Sequence, residues 1–525
     1  MKKISFILPS LEEIFFLIIL LGVTISGASL LSDGDTGYHI RAGEYILQTG
    51  SIPKEDIFSY LSPPPEWTAH EWLAEVIMAI VHHFSGLTGV VIFYSILISF
   101  SFYLFFILLH KTYENILILW IFVLFSTLCT AIHWLARPHV FSFLNLILWY
   151  LILNAFEYRD KNYLYCLPII MLFWVNLHGG YIIGCVLLVI YFSVNLFVYI
   201  LGEKEQREKN WKKVKSYFKI GIICLIVGMI NPYGYNIYFF PFKLINNQII
   251  MSSITEFMPT NFQEPLLFRY LFLLSLLIII IFDCHKKPIE IILIILFTYM
   301  ALYSVRYTTL FSIVITPIIL SRLNCWVENS KSKKIIWFRK IEKNIAKANS
   351  SLKVYRWPTI SVIVLITLVK IGIINYDINS KLHPVEAVKF LLEENISGNM
   401  FNNDEFGDYI IYAAYPKYKV FFDGRSDMYG SEYLKNYRKV IFLEKGWENI
   451  LIEKNIGWII YNSDSALSRC LYEKQNWHLI YSDGVADIFV KNIHEYNHLI
   501  GKYKDVKPEE INEKKEKNKL IKWIF

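Results

Sequence analysis

Charged residues are scarce in this chain. Only 18% of its 525 residues are charged, whereas 55% are hydrophobic and 17% are aromatic. A chain with so little charge would expose more apolar surface than a soluble globular protein does. The composition therefore excludes a soluble enzyme and predicts a polytopic α-helical membrane protein.

Ionisable residues are almost absent from the middle of the apolar runs, and neither an internal repeat nor a pair of interrupted helices stands out. Transporters commonly carry such features, so their absence argues against transport. Of the seven cysteines, only Cys470 lies in the region that follows the last apolar run, which leaves it no partner for an extracytoplasmic disulfide. The net charge of +7 lies in loops and a Lys-rich tail, and it indicates membrane topology and not nucleic-acid binding.

Eleven apolar runs are candidates for membrane spans, since a helix needs about 20 such residues to cross the hydrocarbon. The predicted spans are residues 11–31, 87–109, 115–134, 140–156, 163–177, 180–201, 216–231, 267–283, 288–303, 307–321 and 358–375. The first run is too long for a cleaved signal peptide, so we expect an uncleaved anchor.

Lys and Arg are concentrated in loops that alternate along the chain. With these spans the basic loops all fall on one side, which the positive-inside rule assigns to the cytoplasm. The basic stretches are Lys2 and Lys3, 157–162, 202–215, 285–287 and 322–356. We therefore predict a multi-pass plasma-membrane protein, surrounded by membrane lipids, with a cytoplasmic N-terminus and an acidic loop after the first span that faces outward.

Three parts are predicted along the chain. Residues 1–376 form a transmembrane domain that includes the outer loop 32–86, residues 377–500 form an extracytoplasmic α/β domain, and residues 501–525 form a Lys-rich tail. The expected elements of the α/β domain are helices at 384–394, 447–454 and 466–474, with strands at 420–423, 457–461, 478–481 and 486–490.

The outer loop carries two stretches with helical periodicity. Thr36–Gln48 and His70–Phe84 repeat apolar residues at helical spacing, and Gly50 and Gly86 stand where the helices would stop. Two amphipathic helices lying at the membrane face are expected. Three consecutive prolines at 63–65 stiffen the segment between them.

Asp33 and Asp35 lie at the mouth of the first span. Two carboxylates so close together can activate a hydroxyl acceptor, or they can bind a divalent cation such as Mg²⁺ or Mn²⁺. The alternative is structural, because Asp-Gly-Asp is common turn chemistry after a helix. We favour the functional interpretation, in which both are catalytic candidates.

Further acidic and histidine residues could assist them. Asp56, His70 and Glu71 lie in the same loop, and Glu256 lies between two later spans. A cation held with help from His39 and His70 is conceivable, although a capping or packing role suits the histidines better. A zinc-protease motif would need a second histidine where Ala74 stands, which excludes that class.

A set of basic side chains is expected at the outward ends of the spans. Charged groups near the hydrocarbon are costly and seldom idle, and arginine pairs bind phosphate through charge-assisted bonds. The candidates for a lipid-phosphate site are Arg137, Arg306, His139 and His178. Anchoring of helix ends at the membrane interface is the alternative.

In the C-terminal region, the stretch VFFDGRSDMYG places Asp423, Arg425 and Asp427 directly after a predicted strand. Ligands of α/β domains commonly bind at this edge of a sheet. The three residues are therefore candidates for acceptor binding, with an Asp-Gly turn as the alternative.

These features together resemble the GT-C superfamily of membrane glycosyltransferases, in particular prokaryotic proteins related to the protein O-mannosyltransferases and aminoarabinose transferases. The match rests on the acidic loop with Asp35-Thr36-Gly37-Tyr38, the HEWL segment, the NPYG turn at 231–234 and the DGRSDMY stretch. In this superfamily an Asp that opens the first outer loop acts as base or metal-assisted activator, commonly as the first residue of an Asp-Glu pair. Here Asp-Gly-Asp replaces that pair.

The resemblance implies transfer of a sugar from a polyprenyl-phosphate donor to an extracytoplasmic hydroxyl on a protein, lipid or glycan. Asp35 would take the acceptor proton, and Asp33 would assist it or hold a cation. No nucleotide or organic cofactor is expected. The alternatives are a lipid or polysaccharide transporter and a non-catalytic subunit of a glycan-assembly complex.

Overall fold

The structure is a computed structural model, and it describes residues 8–245, 247–264, 266–282, 287–350, 352 and 355–509. Several of the sequence predictions lie outside these residues, wholly or in part. They include the basic N-terminus with Lys2 and Lys3, the end of the span 267–283, the loop 285–287, part of the loop 322–356, and the tail beyond residue 509.

The chain divides into two compact units. The first, here called the helical unit, comprises Met1–Gly27, Thr88–Phe242 and Ile254–Asn375 as far as they are described. The second, here called the mixed unit, comprises Ala28–Leu87, Lys243–Ser253 and Tyr376–Phe525, with the same restriction. The acidic outer loop, which the sequence analysis placed in the membrane domain, therefore packs with the C-terminal residues.

Every predicted span overlaps a helix. The helices of the helical unit with ten or more residues are Leu11–Ile25, the second part of Trp72–His110, Ile116–Cys129, Phe141–Arg159, Leu167–Leu177, Tyr181–Leu201, Lys204–Val227, Leu267–Ile281, Pro288–Tyr303, Thr308–Asn329, Lys333–Asn349 and Arg356–Lys370. The first of them begins with a capping box, in which Ser10 and Glu13 satisfy each other's backbone N–H groups.

Four helical stretches within the described residues are long and apolar enough to cross a membrane, not eleven. They are Trp72–His110, Pro138–Arg159, Tyr181–Leu201 and Val305–Asn329. Shorter apolar helices cover Ile116–Cys129, Leu164–Leu177, Leu267–Ile281 and Pro288–Tyr303. The predicted number is not confirmed, because several apolar runs include turn residues and form helices shorter than the roughly 20 residues that a span requires.

The two helices predicted in the outer loop are present. One is Asp35–Thr49, which ends at Gly50 with φ 66°. The other is the first part of Trp72–His110, which is broken at Ser85 and at Gly86, where φ is 58°. Only a residue without a Cβ adopts such positive φ angles readily, so both glycines stop the helices as the sequence predicts.

A four-stranded sheet forms the other part of the mixed unit. Its strands are β1 (Asn399–Asn402), β2 (Ile456–Asn462), β3 (Trp477–Ser482) and β4 (Ala486–Lys491), in the order β1-β2-β4-β3. β1 and β2 are parallel, whereas β4 is antiparallel to both β2 and β3. The accompanying helices of seven or more residues are Val385–Glu394, Asp404–Ala414, Ser426–Ile441, Trp447–Glu453 and Ala466–Tyr472.

The predicted strand at 420–423 is wrong. Val420 makes only an isolated bridge to Ser59. The next backbone groups bond a side chain instead of a strand: Phe421 N–H donates to Asn402 Oδ1 (2.8 Å), and Asn402 Nδ2 donates to the carbonyl of Phe422 (2.7 Å). The apolar run is thus an extended segment held by one buried asparagine. The sequence analysis missed β1 and the Asp404–Ala414 and Ser426–Ile441 helices.

Two glycines allow the Asp35–Thr49 helix to approach its neighbours closely. A Cβ on Gly37 would lie 2.7 Å from the Asp408 carbonyl oxygen and 2.8 Å from Tyr412 Cβ. A Cβ on Gly43 would overlap the carbonyl oxygen of Glu75. The helix is therefore packed on protein along both sides, against Asp404–Ala414 and against the start of Trp72–His110.

Gly43→Ala is expected to destabilise the mixed unit. The added methyl group meets backbone, which cannot rotate away, and overpacking of this kind typically costs about 1–3 kcal/mol. Thermal unfolding of the detergent-purified protein measures the effect. Gly501→Ala is the control, because a Cβ at Gly501 meets nothing within 4 Å and alanine favours the helix; equal destabilisation by both variants would contradict the prediction.

Candidate functional site

The start of the Asp35–Thr49 helix explains the Asp-Gly-Asp sequence. The Asp35 backbone N–H donates to Asp33 Oδ1 (2.9 Å), so Asp33 forms the turn that opens the helix. Asp35 is the first residue of the helix, where the positive end of the helix dipole favours a carboxylate. Asp35 is half-buried. The turn alternative thus describes Asp33 in part.

Asp35 meets a carboxyl group from a distant part of the chain. Asp408 lies on the Asp404–Ala414 helix, which Asn403 caps by accepting from Phe406 N–H (2.7 Å). The Gly424 N–H donates to Asp408 Oδ1 (3.0 Å). A Cβ on Gly424 would collide with Asp35 Oδ1 and lie 3.0 Å from Asp408 Oδ2. The two carboxyl groups therefore face each other across this glycine, and sequence analysis missed Asp408.

The surroundings of Asp408 disfavour its ionised form. Burial raises the pKa of Asp408 well above its usual range, and the nearby charges of Asp35 and Asp423 raise it further. The side chain is buried, with 2% relative exposure. Two adjacent carboxyl groups do not both ionise readily. The raised pKa of Asp408 therefore favours its protonated form next to Asp35.

Asp408→Asn is expected to change how stability depends on pH. A carboxyl whose pKa is raised by folding contributes stability below its unfolded pKa, near 3.9, and loses that contribution as pH rises through the folded pKa. Asparagine does not titrate, so the variant should gain stability relative to wild type between pH 5 and pH 8. Melting temperatures of both proteins across this range test it; parallel curves would show that Asp408 is ionised.

A second cluster joins the two helices of the outer loop. His39 Nδ1 lies 3.1 Å from Glu75 Oε1, and His39 Nε2 lies 3.7 Å from Glu71 Oε2. Glu71 Oε1 in turn lies 3.6 Å from His70 Nε2. Side-chain exposure rises along this series, from 2% for Glu75 and His39 to 14% for Glu71 and 21% for His70. Acid and base groups thus lead from the interior to the surface.

Three predicted residues belong to this cluster, and one member was missed. His39, His70 and Glu71 are brought together, whereas Glu75 was not singled out. The sequence did indicate it, because Glu71 directly precedes the Trp72–His110 helix and Glu75 lies one helical turn further along the chain.

The stretch DGRSDMYG forms a buried ion network. Arg425 Nη2 lies 2.7 Å from both Asp56 Oδ1 and Asp423 Oδ2, and its Nε donates to Asp423 Oδ1 (2.9 Å). The Tyr429 hydroxyl also donates to Asp423 (2.6 Å). Burial alone would raise the pKa of Asp56, but the Arg425 charge and the hydrogen bonds outweigh it and lower the pKa.

The exposure of this network decides how its members can act. Asp423 and Asp56 have side chains with 0% and 1% exposure, and Arg425 has 2%. The Asp423 carboxylate is therefore not accessible for direct binding of an acceptor, because both of its oxygens already accept hydrogen bonds from Arg425 or Tyr429. Asp427 is half-buried at the start of the Ser426–Ile441 helix.

In the helical unit, the two predicted phosphate-binding arginines converge on one carboxylate. Arg137 Nη1 lies 2.9 Å from Glu256 Oε1, and Arg306 Nη1 lies 3.7 Å from Glu256 Oε2. Burial acts to raise the pKa of Glu256, but the charges of Arg137 and Arg306 outweigh it and lower the pKa. The site therefore holds an anionic group between two guanidinium groups.

The two predicted histidines lie beside each other in the same unit. The ring centroids of His139 and His178 are 6.3 Å apart. His139 Nε2 lies 2.8 Å from the His133 carbonyl oxygen, and His178 Nδ1 lies 2.7 Å from Ser142 Oγ. One nitrogen of each ring is thus engaged within the protein.

Carboxylates for a cation are limited in number. Among the described residues, no group of three or more His, Cys, Asp or Glu side chains is placed to hold a metal ion. Mg²⁺ is often bound through only one or two carboxylates together with substrate phosphates and water. Asp35 and Asp408 satisfy that smaller requirement, although burial raises the pKa of Asp408 and so opposes the ionised form that a cation needs.

The sequence matches no protein-family model, and no curated protein matches it either. Its structure is similar to that of the oligosaccharyltransferase AglB from Archaeoglobus fulgidus in complex with an inhibitory peptide and a dolichol-phosphate. The TM-score is 0.54 at 12% identity, over 87% of this chain and 70% of that one.

A second structure of the A. fulgidus oligosaccharyltransferase, tethered to an acceptor peptide that contains the NVT sequon, matches with TM-score 0.52 at 11% identity, over 86% of this chain and 69% of the other. At such low identity the likeness shows the fold alone. The chain therefore shares the fold of this oligosaccharyltransferase, whereas membership of the GT-C superfamily and of its narrower branch stays a prediction.

Proposed function

We propose that this protein is a membrane glycosyltransferase that moves a sugar from a polyprenyl-phosphate donor to a hydroxyl group of an extracytoplasmic acceptor. The observation that carries the proposal is the close approach of the Asp35 and Asp408 carboxyl groups at Gly424, where burial raises the pKa of Asp408. A carboxylate beside a carboxyl group whose pKa is raised is a suitable arrangement for the removal of a hydroxyl proton. The fold likeness to an oligosaccharyltransferase, solved with a dolichol-phosphate, supports the donor class.

In the proposed reaction, the oxygen of the acceptor hydroxyl attacks the anomeric carbon of the donor sugar. Asp35 takes the proton of that hydroxyl during the attack. The bond from that carbon to the phosphate oxygen breaks, and the lipid phosphate leaves with the electron pair. A single displacement of this kind inverts the anomeric configuration. Asp35 then returns its proton to solvent. The role of base is given to Asp35 and not to Asp408, because Asp408 is buried whereas Asp35 is half-buried.

Arg137 and Arg306 are proposed to bind the leaving phosphate, with His139 and His178 beside them. The Glu256 carboxylate pairs with both guanidinium groups. A phosphate would therefore have to replace this carboxylate between the two arginines. Charge-assisted bonds from two arginines would stabilise the charge that develops on the leaving group. If a divalent cation takes part, Asp35 is its expected ligand together with the substrate phosphate, and it would supply Lewis-acid stabilisation there.

The test is sugar transfer by the purified protein in lipid, offered a panel of polyprenyl-phosphate sugars and hydroxyl acceptors. We expect release of free polyprenyl phosphate from one of the donors, and added EDTA will show whether a cation is needed. The negative control is Asp35→Asn, because asparagine keeps the size of the side chain but cannot take the proton. If folded protein releases polyprenyl phosphate from none of the donors, the proposal is wrong. The transporter or the subunit of a glycan-assembly complex would then be favoured.

A further inference from the structure

The helix Lys333–Asn349 follows Thr308–Asn329 and precedes Arg356–Lys370 in the helical unit. Its sequence, KKIIWFRKIEKNIAKAN, carries six basic residues and one acidic residue. Three residues connect it to Asn329, where a stretch that is long and apolar enough to cross a membrane ends. The four Cα–Cα steps between these helices span at most about 15 Å, so the helix begins close to the end of that stretch.

Two buried side chains hold one side of this helix against the rest of the helical unit. Glu342 Oε1 accepts from the Leu117 N–H (3.0 Å), and Asn349 Oδ1 accepts from the Leu11 N–H (2.8 Å). Both N–H groups lie in the first turn of a helix, where backbone donors lack partners within their own helix. These bonds fix the rotation of the basic helix about its axis, so its opposite side faces away from the unit.

The opposite side of the helix carries lysines around two large apolar side chains. Ile336 is 49% exposed and Trp337 is 66% exposed, and the lysines are exposed as well. The positions recur at intervals of three or four residues, so they share one helix face. The single carboxylate of the helix, Glu342, is buried on the other side. The basic face, as it is called below, consists of Lys333, Ile336, Trp337, Lys340, Lys343 and Lys347.

This face requires two different surroundings at once. Ile336 and Trp337 favour an apolar medium, whereas the lysine ammonium groups require water or negative charge. The interior of a bilayer offers the first alone, and a nucleic acid or an acidic polypeptide offers mainly the second. A bilayer surface that contains anionic lipids offers both, because apolar side chains enter the acyl boundary while the ammonium groups stay at the phosphate oxygens. Tryptophan is also enriched at such interfaces.

We propose that the basic face binds the headgroups of anionic phospholipids, at the surface of the membrane that the stretch Val305–Asn329 is long enough to cross. The lysine ammonium groups pair with phosphate oxygens, while Ile336 and Trp337 enter the acyl boundary. The positive-inside rule assigns this basic loop to the cytoplasmic side, and the cytoplasmic leaflet is the one with a negative surface potential. The inference does not rest on the proposed transfer of a sugar.

The test is native mass spectrometry of the full chain in detergent, offered phosphatidylglycerol or phosphatidylcholine with the same acyl chains. The two lipids differ in headgroup charge, so the difference between their affinities isolates the electrostatic part. Glutamine keeps a long stem and favours a helix much as lysine does. The face variant therefore combines Lys333→Gln, Lys340→Gln, Lys343→Gln and Lys347→Gln. The control variant makes the same change at four exposed lysines of the mixed unit, namely Lys389, Lys435, Lys439 and Lys445.

We expect wild type to bind phosphatidylglycerol more tightly than phosphatidylcholine. The face variant should lose that preference, with an affinity for phosphatidylglycerol lower by about tenfold or more, whereas the control variant should bind as wild type does. Trp337→Ser should also bind phosphatidylglycerol more weakly, because it removes the larger apolar side chain of the face. Raising the salt from about 0.1 M to about 1 M should reduce the preference of wild type, since the Debye length falls from about 10 Å to about 3 Å.

Equal affinity of wild type for the two lipids would overturn the inference and leave the face to another occupant, such as an acidic protein. A preference that the face variant keeps would place lipid binding elsewhere, and one that the control variant loses equally would follow net charge alone; both results contradict the inference. Wild-type binding by Trp337→Ser would show a charged patch that does not enter the membrane, which contradicts it too. Thermal unfolding checks that each variant is folded, and if the fourfold variant is not, the pair Lys340→Gln and Lys343→Gln decides by the same criteria.

Discussion

Asp35→Asn is expected to lower the rate of polyprenyl-phosphate release by about 10²–10⁴-fold, the usual contribution of a positioned general base. The amide has the size of the carboxylate but cannot take a proton. The loss should appear in kcat, because the substitution removes proton transfer and leaves donor binding intact. Release of lipid phosphate by wild-type and variant protein at saturating donor measures it.

Asp33→Asn is the matched control, two residues away in the same turn. Asp33 Oδ1 accepts from the Asp35 N–H, and an asparagine oxygen accepts in the same way. The control should therefore retain most of the activity. Equal losses from both substitutions would mean that the pair acts together, for example on a cation, and an unchanged rate for Asp35→Asn would show that the base lies elsewhere.

Features that depend on nearby residues could be predicted from the sequence. The helices of the outer loop and their ends at Gly50 and Gly86 follow from apolar spacing and from the φ angles that glycine allows. The concentration of acid and base groups in that loop was also visible, and His39, His70 and Glu71 do come together.

Features that depend on distant residues could not be predicted. Asp35 and Asp408 are separated by most of the chain, and nothing in the local pattern of either indicates the other. The ion pair of Asp56 with Arg425 joins residues 369 positions apart. The extended segment after Val420 was mistaken for a strand because its backbone partner is the side chain of Asn402, and apolar spacing does not report such a bond.

Close packing explains why small residues surround the acidic pair. Gly37 and Gly424 leave space that a Cβ would fill with contacts to Asp408 or Asp35. A sequence pattern shows that a glycine is present, but it does not show which backbone or carboxyl group packs closely against that glycine. The catalytic proposal therefore depends on tertiary structure, although both of its carboxyl groups are plain in the sequence.

Arg425→Met is expected to cause the largest loss of stability in the mixed unit. The substitution keeps an apolar stem of similar length between the rings of Phe58 and Trp67, which lie 4.8 and 4.6 Å from the guanidinium carbon. It leaves the buried carboxylates of Asp56 and Asp423 without their cation. Removal of one partner from a buried ion pair costs about 3–5 kcal/mol, which thermal unfolding in detergent at pH 7 would detect.

Lowering the pH should reduce the difference in stability between wild type and Arg425→Met. The pKa of Asp56 is lowered in the folded state, so its contribution is present above the unfolded value near 3.9 and is lost as pH falls through the folded value. Wild type therefore loses this stability in acid, whereas Arg425→Met has already lost it. Asp56→Asn in the Arg425→Met background should restore part of the melting temperature, because it removes one stranded charge.

The control for charge alone is Lys435→Met, on the exposed face of the same Ser426–Ile441 region. It should melt as wild type does, since surface charges contribute little. If Arg425→Met were as stable as this control, the network would be dispensable for folding.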